Sequence, residues 1–169
     1  MEIRTHEAVA FLGMICWAEG TSAGGRDPYR VVYGYGHTLA DLSDHPAITG
    51  EWAGKLLRPE YCRRAGLRPG CRSTAAGAYQ INRPTWLDPA LRKLYTPHSF
   101  SPAEQDAFCW HALCRSLGIP ALVGVGRIEA AITAASARWA SLPRSSAGQP
   151  RKGVAQCIAE YRRILDGLS

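Results

Sequence analysis

The sequence lacks several features that would define its class at once. None of its apolar runs is long enough to cross a bilayer, which argues against stable membrane insertion. It has no Cys-x-x-Cys pair, no His-x-x-x-His set and no phosphate-binding glycine loop, so we expect no metal and no cofactor. The apolar stretch from Ala8 to Ala18 follows Glu2 and Glu7 without a small-residue cleavage site, unlike a signal peptide. We therefore expect synthesis in the cytoplasm.

Acidic residues are scarce relative to basic ones. The 169-residue chain has 14 acidic and 20 basic side chains, a net charge of +6 and a pI of about 9.2. A basic surface suits an anionic partner, such as nucleic acid, anionic lipid or an acidic cell-wall polymer. The arginines form no dense tract and lie in no nucleic-acid-binding motif, so we expect no nucleic-acid partner. A basic surface that serves only solubility remains an alternative.

Among the features that are present, hydrophobic periodicity predicts five helices. Their predicted bounds are about Thr5 to Glu19, Pro84 to Leu94, Ser101 to Leu117, Gly126 to Trp139 and Gly153 to Leu165. Thr5 is a suitable N-cap for the first helix and Gly20 a suitable stop. Ser101 and Glu104 have the spacing of a capping box at the start of the third.

The region between the first two helices has a different composition. Residues 20–82 are rich in Gly, Pro, Tyr and Asp, and "YRVVYGYG" predicts a strand with Tyr29, Val31, Tyr33 and Tyr35 on one face. The order of elements predicts an α+β fold with a small β-containing lobe at 20–82, a helical lobe from the remainder, and a cleft between them.

Glu19 is the first candidate for chemistry. On a 3.6-residue period it falls on the same stripe as Phe11, Ile15 and Cys16, so it points toward the apolar side of its helix. Burial and the negative end of the helix dipole would both raise its pKa, and a carboxyl kept protonated can act as a general acid. The alternatives are a solvated helix-end residue or a partner for an arginine.

A second carboxylate, which most glycosidases need, is harder to find. The candidates are Asp27, Asp41 and Asp44, and the last two lie in "LADLSDHP", where aspartates are typical of turns. A single clear acid suits a mechanism in which the hydroxyl of the sugar itself attacks.

The stretch "RSTAAGAYQIN", residues 72–82, is a candidate ligand-binding segment. Its small residues allow close approach of the backbone, Tyr79 could stack on a sugar ring, and Gln80 could donate and accept hydrogen bonds. A tight turn that leads into a helix explains the same pattern. His111 is more typical of a helix surface or core than of a ligand.

The six cysteines fall into two groups. Four lie in apolar helical surroundings and are expected to be free buried thiols: Cys16, Cys109, Cys114 and Cys157. Cys62 and Cys71 bracket the polar, turn-rich "RRAGLRPG", where a disulfide could pin a hairpin in an oxidising compartment. The sequence leaves that pairing open.

Five stretches in order resemble the lambda-phage endolysin family, whose members are lytic transglycosylases. They are "FLGMICWAEGT", "DLSDHP", "STAAGAYQI", "FSPAEQDA" and "WASLP" followed by "GQ". The resemblance implies one lysozyme-like catalytic domain over residues 1–169. It also implies non-hydrolytic cleavage of the β-1,4 bond between N-acetylmuramic acid and N-acetylglucosamine in peptidoglycan, which leaves 1,6-anhydromuramic ends and lyses the cell. Glu19 matches the catalytic glutamate of the family, and Ser73, Tyr79 and Gln80 match the segment that lines its cleft.

The resemblance also implies where the protein acts and with what partners. We expect a monomer that reaches the periplasmic wall through a separate membrane pore, a holin.

Two departures from the family stand out: Arg30 replaces an aspartate near the start of the β region, and residues 51–72 are longer than the corresponding lip hairpin. The alternatives are a hydrolytic muramidase, with Asp41 or Asp44 assisting a water, and a wall-binding protein without activity.

Overall fold

The first helix organises the helical lobe. The structure is a computed structural model that describes residues 5–143 and 152–168. Helix α1 spans His6–Glu19; the Thr5 side chain accepts a hydrogen bond from the Ala8 amide, and Gly20 ends the helix in a left-handed conformation with φ of 73°. Both predicted caps are therefore confirmed. Most of α1 is buried, so the helix lies inside the lobe.

The last helix packs along the first. Helix α9 spans Val154–Asp166, close to the predicted bounds. The rings of Phe11 and Tyr161 meet edge to face at 6.5 Å. A Cβ added at Gly13 would lie 2.9 Å from Cδ1 of Ile164, so glycine at this position lets the two helices approach closely.

Two of the three middle helices are shorter than predicted, whereas the one predicted for Ser101 to Leu117 is confirmed as continuous helix over residues 102–116. The structure has α4 Arg83–Trp86, α5 Pro89–Leu94, α6 Pro102–Phe108, a wider π-helical turn Cys109–Cys114, α7 Ile119–Gly124 and α8 Ile128–Ala135. The single helix predicted for Pro84 to Leu94 is wrong, because Asp88 caps a new helix and its carboxylate accepts from the Ala90 amide. Helix α8 ends at Ala135, so Trp139 lies beyond the helix that was expected to include it.

The predicted capping box at Ser101 is also wrong. The Ser101 side chain makes no capping hydrogen bond to α6. Oε2 of Glu104 accepts instead from the Tyr95 hydroxyl at 3.0 Å and from the His98 amide at 3.2 Å. The box fails because the glutamate finds donors in the preceding loop.

The strand predicted in "YRVVYGYG" does not form. Pro28–Arg30 is a short 3-10 turn, and Val31 and Val32 make one isolated β-bridge each, to Thr38 and to Ala76. Both valines are buried, at 5% and 0% exposed, so the side chains do not alternate between faces. The chain then turns at Tyr35, whose φ is 57°.

The sheet of the small lobe lies at the base of residues 51–72, which we call the lip segment. Strand β1, Lys55–Leu56, pairs antiparallel with β2, Arg72–Ser73, and α3, Pro59–Arg64, lies between them. A further short helix, α2, spans Pro46–Thr49 before the lip segment. Cys62 and Cys71 are disulfide-bonded, with 2.13 Å between their sulfurs. The pairing that the sequence left open is therefore present.

The helical lobe and the small lobe together give the predicted α+β architecture. The core runs through both, from α1 to the buried residues of the segment around Ala76 and Ile81. Along the described residues, no helix combines the length and apolarity needed to cross a membrane.

Candidate active site

Glu19 lies at the last turn of α1, where the chain leaves for the small lobe. Burial raises the pKa of its carboxyl above the usual value of 4.5, and hydrogen bonds from Ser141 oppose the rise. The carboxyl is therefore biased toward the protonated form. The expectation that Glu19 faces the apolar side is consistent with this burial.

Ser141 is the residue that holds the Glu19 carboxyl. Its hydroxyl donates to Oε1 of Glu19 at 2.5 Å, across 122 residues of chain. Two residues earlier, Nε1 of Trp139 donates to the backbone carbonyl of Tyr79 at 3.1 Å. The segment Trp139–Ser141 thus joins the end of α1 to the predicted ligand-binding segment at residues 72–82.

A second link joins the same two elements directly. The hydroxyl of Thr21, two residues after Glu19, donates to the carbonyl of Ala78 at 2.8 Å and lies fully buried. The end of α1 and the segment containing Gln80 are therefore held together at two points.

Tyr79 has a different role from the one expected. Its side chain is 3% exposed, and its hydroxyl donates to Oδ1 of Asp106 at 2.6 Å, while the Tyr29 hydroxyl donates to Oδ2 at 3.2 Å. A ring buried in this way offers no face to a sugar, so the stacking role predicted for Tyr79 is wrong. The ring instead joins the segment to α6.

Gln80 remains a candidate for substrate contact. It is half-buried, and its backbone has a φ of 48°, a left-handed conformation that is rare outside glycine. Its Nε2 donates to the Gly77 carbonyl at 3.1 Å, and no donor among the described residues contacts its Oε1. The side-chain amide of Gln80 is thus held through its Nε2, and its Oε1 can accept a hydrogen bond from a ligand.

Ser73 is the last residue of β2, at the root of the lip segment. Its Oγ accepts from the Ala75 amide at 3.3 Å. It lines a cavity of about 680 Å³ together with residues of the lip segment. Ser73 is therefore placed to contact a ligand that reaches the small lobe.

Gln105 is a buried residue that sequence reasoning missed. Its Oε1 accepts from the Ala78 amide at 3.0 Å, and its Nε2 donates to the carbonyls of Tyr29 and Phe100 at 3.0 and 2.8 Å. A Cβ at Gly77 would overlap its Oε1, and the φ of 74° at Gly77 also requires glycine. Gln105 lies in "FSPAEQDA", but a glutamine in a helix gives no signal that it will be buried.

The candidate second carboxylates all serve turns. Oδ1 of Asp44 accepts from the His45 amide at 2.7 Å and from Nε1 of Trp86 at 2.8 Å. Asp41 is exposed and accepts from the Ser43 amide, and hydrogen bonds from Ser43 lower its pKa. These contacts support the capping and turn-forming interpretation.

Arg30, where the sequence predicts a departure from the family, has a structural role. Its Nη1 donates to the carbonyls of Leu39 and Ala40 at 2.6 and 3.0 Å, and its Nε lies 3.4 Å from Oδ2 of Asp27. Oδ1 of Asp27 accepts from the Tyr29 amide. Arg30 therefore fixes the loop before Asp41.

The remaining polar candidates are His111 and the cysteines outside the disulfide. His111 lies in the π-helical turn, with its ring centroid 5.8 Å from that of Tyr95. Among the described residues, no group of three or more His, Cys, Asp or Glu side chains is arranged to hold a metal ion. The cysteines expected to be free are free and buried: Cys16, Cys109, Cys114 and Cys157.

The sequence matches a known family over most of its length. The family model described as Endolysin matches residues 9–167. The chain belongs to the endolysin family. Within this family, the chain is 34% identical over 157 residues to the endolysin of Escherichia phage lambda. The aligned region covers 90% of this chain and 87% of that relative. It is 31% identical over 161 residues to the endolysin of Escherichia phage P2, covering 95% of this chain and 94% of the relative.

Solved structures agree with the family and show the fold. A bacteriophage lambda lysozyme complexed with a chitohexasaccharide superposes with a TM-score of 0.74, at 31% identity and 97% coverage of both chains. A second lambda lysozyme structure gives a TM-score of 0.70 at 30% identity. The fold of this endolysin is therefore lysozyme-like, and its family makes it a cell-wall-degrading enzyme that cleaves glycosidic bonds.

Proposed function

We propose that this endolysin is a peptidoglycan lytic transglycosylase in which Glu19 acts as the acid and then as the base. The observation that carries the proposal is the carboxyl of Glu19, whose pKa is raised by burial. Burial also raises the pKa of Asp106, but its carboxylate accepts from the hydroxyls of Tyr29 and Tyr79. The turn aspartates Asp27, Asp41 and Asp44 accept from backbone amides close to them in the chain. Such a site can protonate a leaving oxygen but offers no evident second carboxylate to form a covalent intermediate or activate a water.

The proposed reaction balances without water. Glu19 gives its proton to the glycosidic oxygen of the β-1,4 bond, and the bond from C1 of N-acetylmuramic acid to that oxygen breaks. The C6 hydroxyl oxygen of the same sugar then bonds to C1, and its proton passes to the Glu19 carboxylate. The products are a chain with a free hydroxyl and a 1,6-anhydromuramic end, and Glu19 is again protonated.

Three residues would support this chemistry. Ser141 holds the Glu19 carboxyl by the hydrogen bond to Oε1 and limits the rise of its pKa. Gln80 has an amide oxygen available for a sugar hydroxyl or acetamide N–H, and Ser73 would contact the glycan farther along the cleft. The chitohexasaccharide bound to the lambda lysozyme supports a glycan as the ligand of such a cleft.

Mass spectrometry of muropeptides tests the proposal. Purified peptidoglycan digested with the protein should yield ends lighter than reducing ends by one water. Reducing ends would indicate the hydrolytic muramidase, with Asp41 and Asp44 as the first candidates to assist a water. Binding to sacculi without any cleavage would favour a wall-binding protein that has no activity.

We also propose that the enzyme works as a monomer on the periplasmic face of the wall and reaches it through a holin. The relatives named as phage endolysins support this route. Cytoplasmic expression alone should leave cells intact, whereas expression with a pore-forming membrane protein should lyse them. Lysis of cells with an intact inner membrane would contradict the route, and a dimer in sedimentation would contradict the monomer.

A further inference from the structure

The lip segment borders a basic cavity, and Ser73 is the one residue of its lining to which the proposed function gives a role. The cavity measures about 680 Å³ and contains no acidic residue in its lining. Three arginines and two tyrosines line it: Arg64, Arg72, Arg83, Tyr33 and Tyr61. Its walls are α3, β2 and the start of α4.

Two of the three arginines have no partner in the described part of the chain. Nη1 of Arg72 donates to the Gly54 carbonyl at 2.6 Å. The guanidinium groups of Arg64 and Arg83 make no hydrogen bond and no ion pair with the described residues, and both residues are exposed. They are therefore available to an anionic ligand, and guanidinium groups pair well with carboxylates.

Most of the net positive charge of this chain comes from the lip segment. Residues 51–72 contain six basic and two acidic residues, a net of +4 out of the +6 of the whole chain. One of the acidic residues, Glu60, lies beside Arg58 outside the cavity lining, and the other, Glu51, accepts from the amides of Ala40 and Asp41. The cavity thus keeps its positive charge.

The disulfide keeps the cavity in shape. Cys62 lies on α3 two residues before Arg64, and Cys71 directly precedes Arg72, so the bond joins two walls of the cavity. A preorganised site loses less side-chain and backbone entropy on binding. Leu57 and Leu67 add apolar lining beside the arginines, which suits a ligand with aliphatic as well as charged parts.

We propose that this cavity binds the acidic stem peptide that peptidoglycan carries on its muramic acid residues. The proposal rests on the proposed function, because it assumes a peptidoglycan strand in the cleft next to the lip segment. Peptide carboxylates would pair with Arg64 and Arg83, and the aliphatic parts would contact the leucines and tyrosines. The enzyme would then prefer peptide-bearing strands to bare glycan.

The test compares two substrates and two double variants. The substrates are intact sacculi and glycan strands from which an amidase has removed the peptides. Arg64→Gln/Arg83→Gln removes two charges from the cavity. Arg115→Gln/Arg162→Gln removes two from exposed arginines on other helices, which make no side-chain hydrogen bond to the described residues. Thermal midpoints confirm that both variants are folded.

We expect the ratio of kcat/KM on intact sacculi to kcat/KM on stripped strands to fall about tenfold in the cavity variant. The control variant should keep the wild-type ratio. Stem peptide released from the same sacculi should inhibit the wild type competitively and the cavity variant about tenfold less. An unchanged ratio would overturn the proposal, as would equal losses on both substrates, which would indicate general attraction to polyanions.

Competition by a second anion and the chemistry of the product ends complete the experiment. Inhibition by inorganic polyphosphate but not by stem peptide would assign the cavity to phosphate-bearing polymers and overturn the proposal. The product ends are read from the same digests. Reducing ends with the expected ratio would refute the transglycosylase mechanism while supporting the peptide site.

Discussion

At the residue scale, the account depends on the protonation of Glu19. The helix periodicity predicts that Glu19 lies on the side of Ile15, a local relation within one regular helix, and the burial of its carboxyl is consistent with that direction. Ser141 could not be predicted in the same way, since it lies 122 residues away and reaches Glu19 only through the tertiary fold. The same limit explains Tyr79, whose burial depends on Asp106 in another helix.

Replacing Glu19 tests the acid directly. Glu19→Gln keeps an acceptor for the Ser141 hydroxyl but has no proton to give, so we expect cleavage to fall by about 10³-fold, within the usual range for a lost general acid. Turbidity clearing of sacculi measures the loss, and pull-down of sacculi measures binding, which should remain. Asp44→Asn, whose oxygen still accepts from Trp86, is the matched control, and clearing by Glu19→Gln at the wild-type rate would refute the assignment.

The same variant should change stability with a definite dependence on pH. The native state binds the Glu19 proton more tightly than the unfolded chain, where the usual pKa is 4.5. Wild-type stability therefore falls as pH rises from about 4.5 through the raised native pKa, and Glu19→Gln lacks this fall. Urea unfolding at several pH values should show the variant gaining stability relative to wild type as pH rises. A constant difference would show that the native pKa is not raised.

Removing the Ser141 hydroxyl should move the pH profile. Ser141 donates to Glu19 and favours its ionised form, so Ser141→Ala should raise the pKa of Glu19 further. We expect the alkaline limb of the kcat profile to shift upward, together with a loss of kcat as the carboxyl becomes less well positioned. Ser116→Ala, which removes only a hydrogen bond to the Leu113 carbonyl, is the control. A limb that stays in place or shifts downward would contradict the positioning role.

At the element scale, sequence patterns predicted the long helices. They gave wrong bounds or the wrong element type where a turn or a capping residue interrupts the chain. Helix α9 has strong amphipathic periodicity, α1 is apolar along most of its length, each is followed by a glycine, and both were found. The strand at "YRVVYGYG" failed because Val31 and Val32 are buried together, which period-two alternation cannot describe. The helix expected after Pro84 is divided at Asp88, a strong capping residue that the periodicity alone did not weigh.

Gln105 should prove to be the residue that fixes residues 77–80 against α6. Gln105→Leu keeps the volume but removes three buried hydrogen bonds, so we expect a loss of about 3–5 kcal/mol in the free energy of unfolding. Gln156→Leu on the exposed side of α9 is the control and should cost less than about 1 kcal/mol. Urea unfolding measures both, and equal small losses would show that the buried network contributes little.

The lip disulfide should contribute to stability under oxidising conditions. A bond that closes the loop between Cys62 and Cys71 is worth about 2–3 kcal/mol by the loop-entropy relation. Cys62→Ser/Cys71→Ser should lose that amount, and a reductant should reproduce the loss in the wild type. Titration of accessible thiols checks the bond itself, and reactive thiols at both positions under periplasm-like redox conditions would refute it.

At the scale of the whole molecule, the resemblance of five short stretches predicted the fold and family correctly. Each of the five stretches contains a group that joins distant elements: Glu19, Asp44, Tyr79, Gln105 and Trp139. The "GQ" after "WASLP" lies outside the described residues. The lip segment has no such pattern, which is why its cavity and disulfide could not be derived from the sequence.

The prediction of a single catalytic domain also belongs to this scale. The core includes residues from α1, from the segment at residues 75–81 and from α9, so the lobes should unfold together. Calorimetry should show one transition with equal calorimetric and van't Hoff enthalpies. Two separate transitions would mean that residues 20–82 fold as an independent unit.

The most direct measurement of the central claim is digestion of peptidoglycan in water enriched in heavy oxygen. In a transglycosylase reaction, the oxygen that becomes bonded to C1 is that of the C6 hydroxyl of the same sugar and not that of water. The account therefore predicts anhydro ends with no heavy oxygen at C1. Ends that carry heavy oxygen at C1 would show that water attacks, and they would contradict the proposal that Glu19 works with the sugar's own hydroxyl.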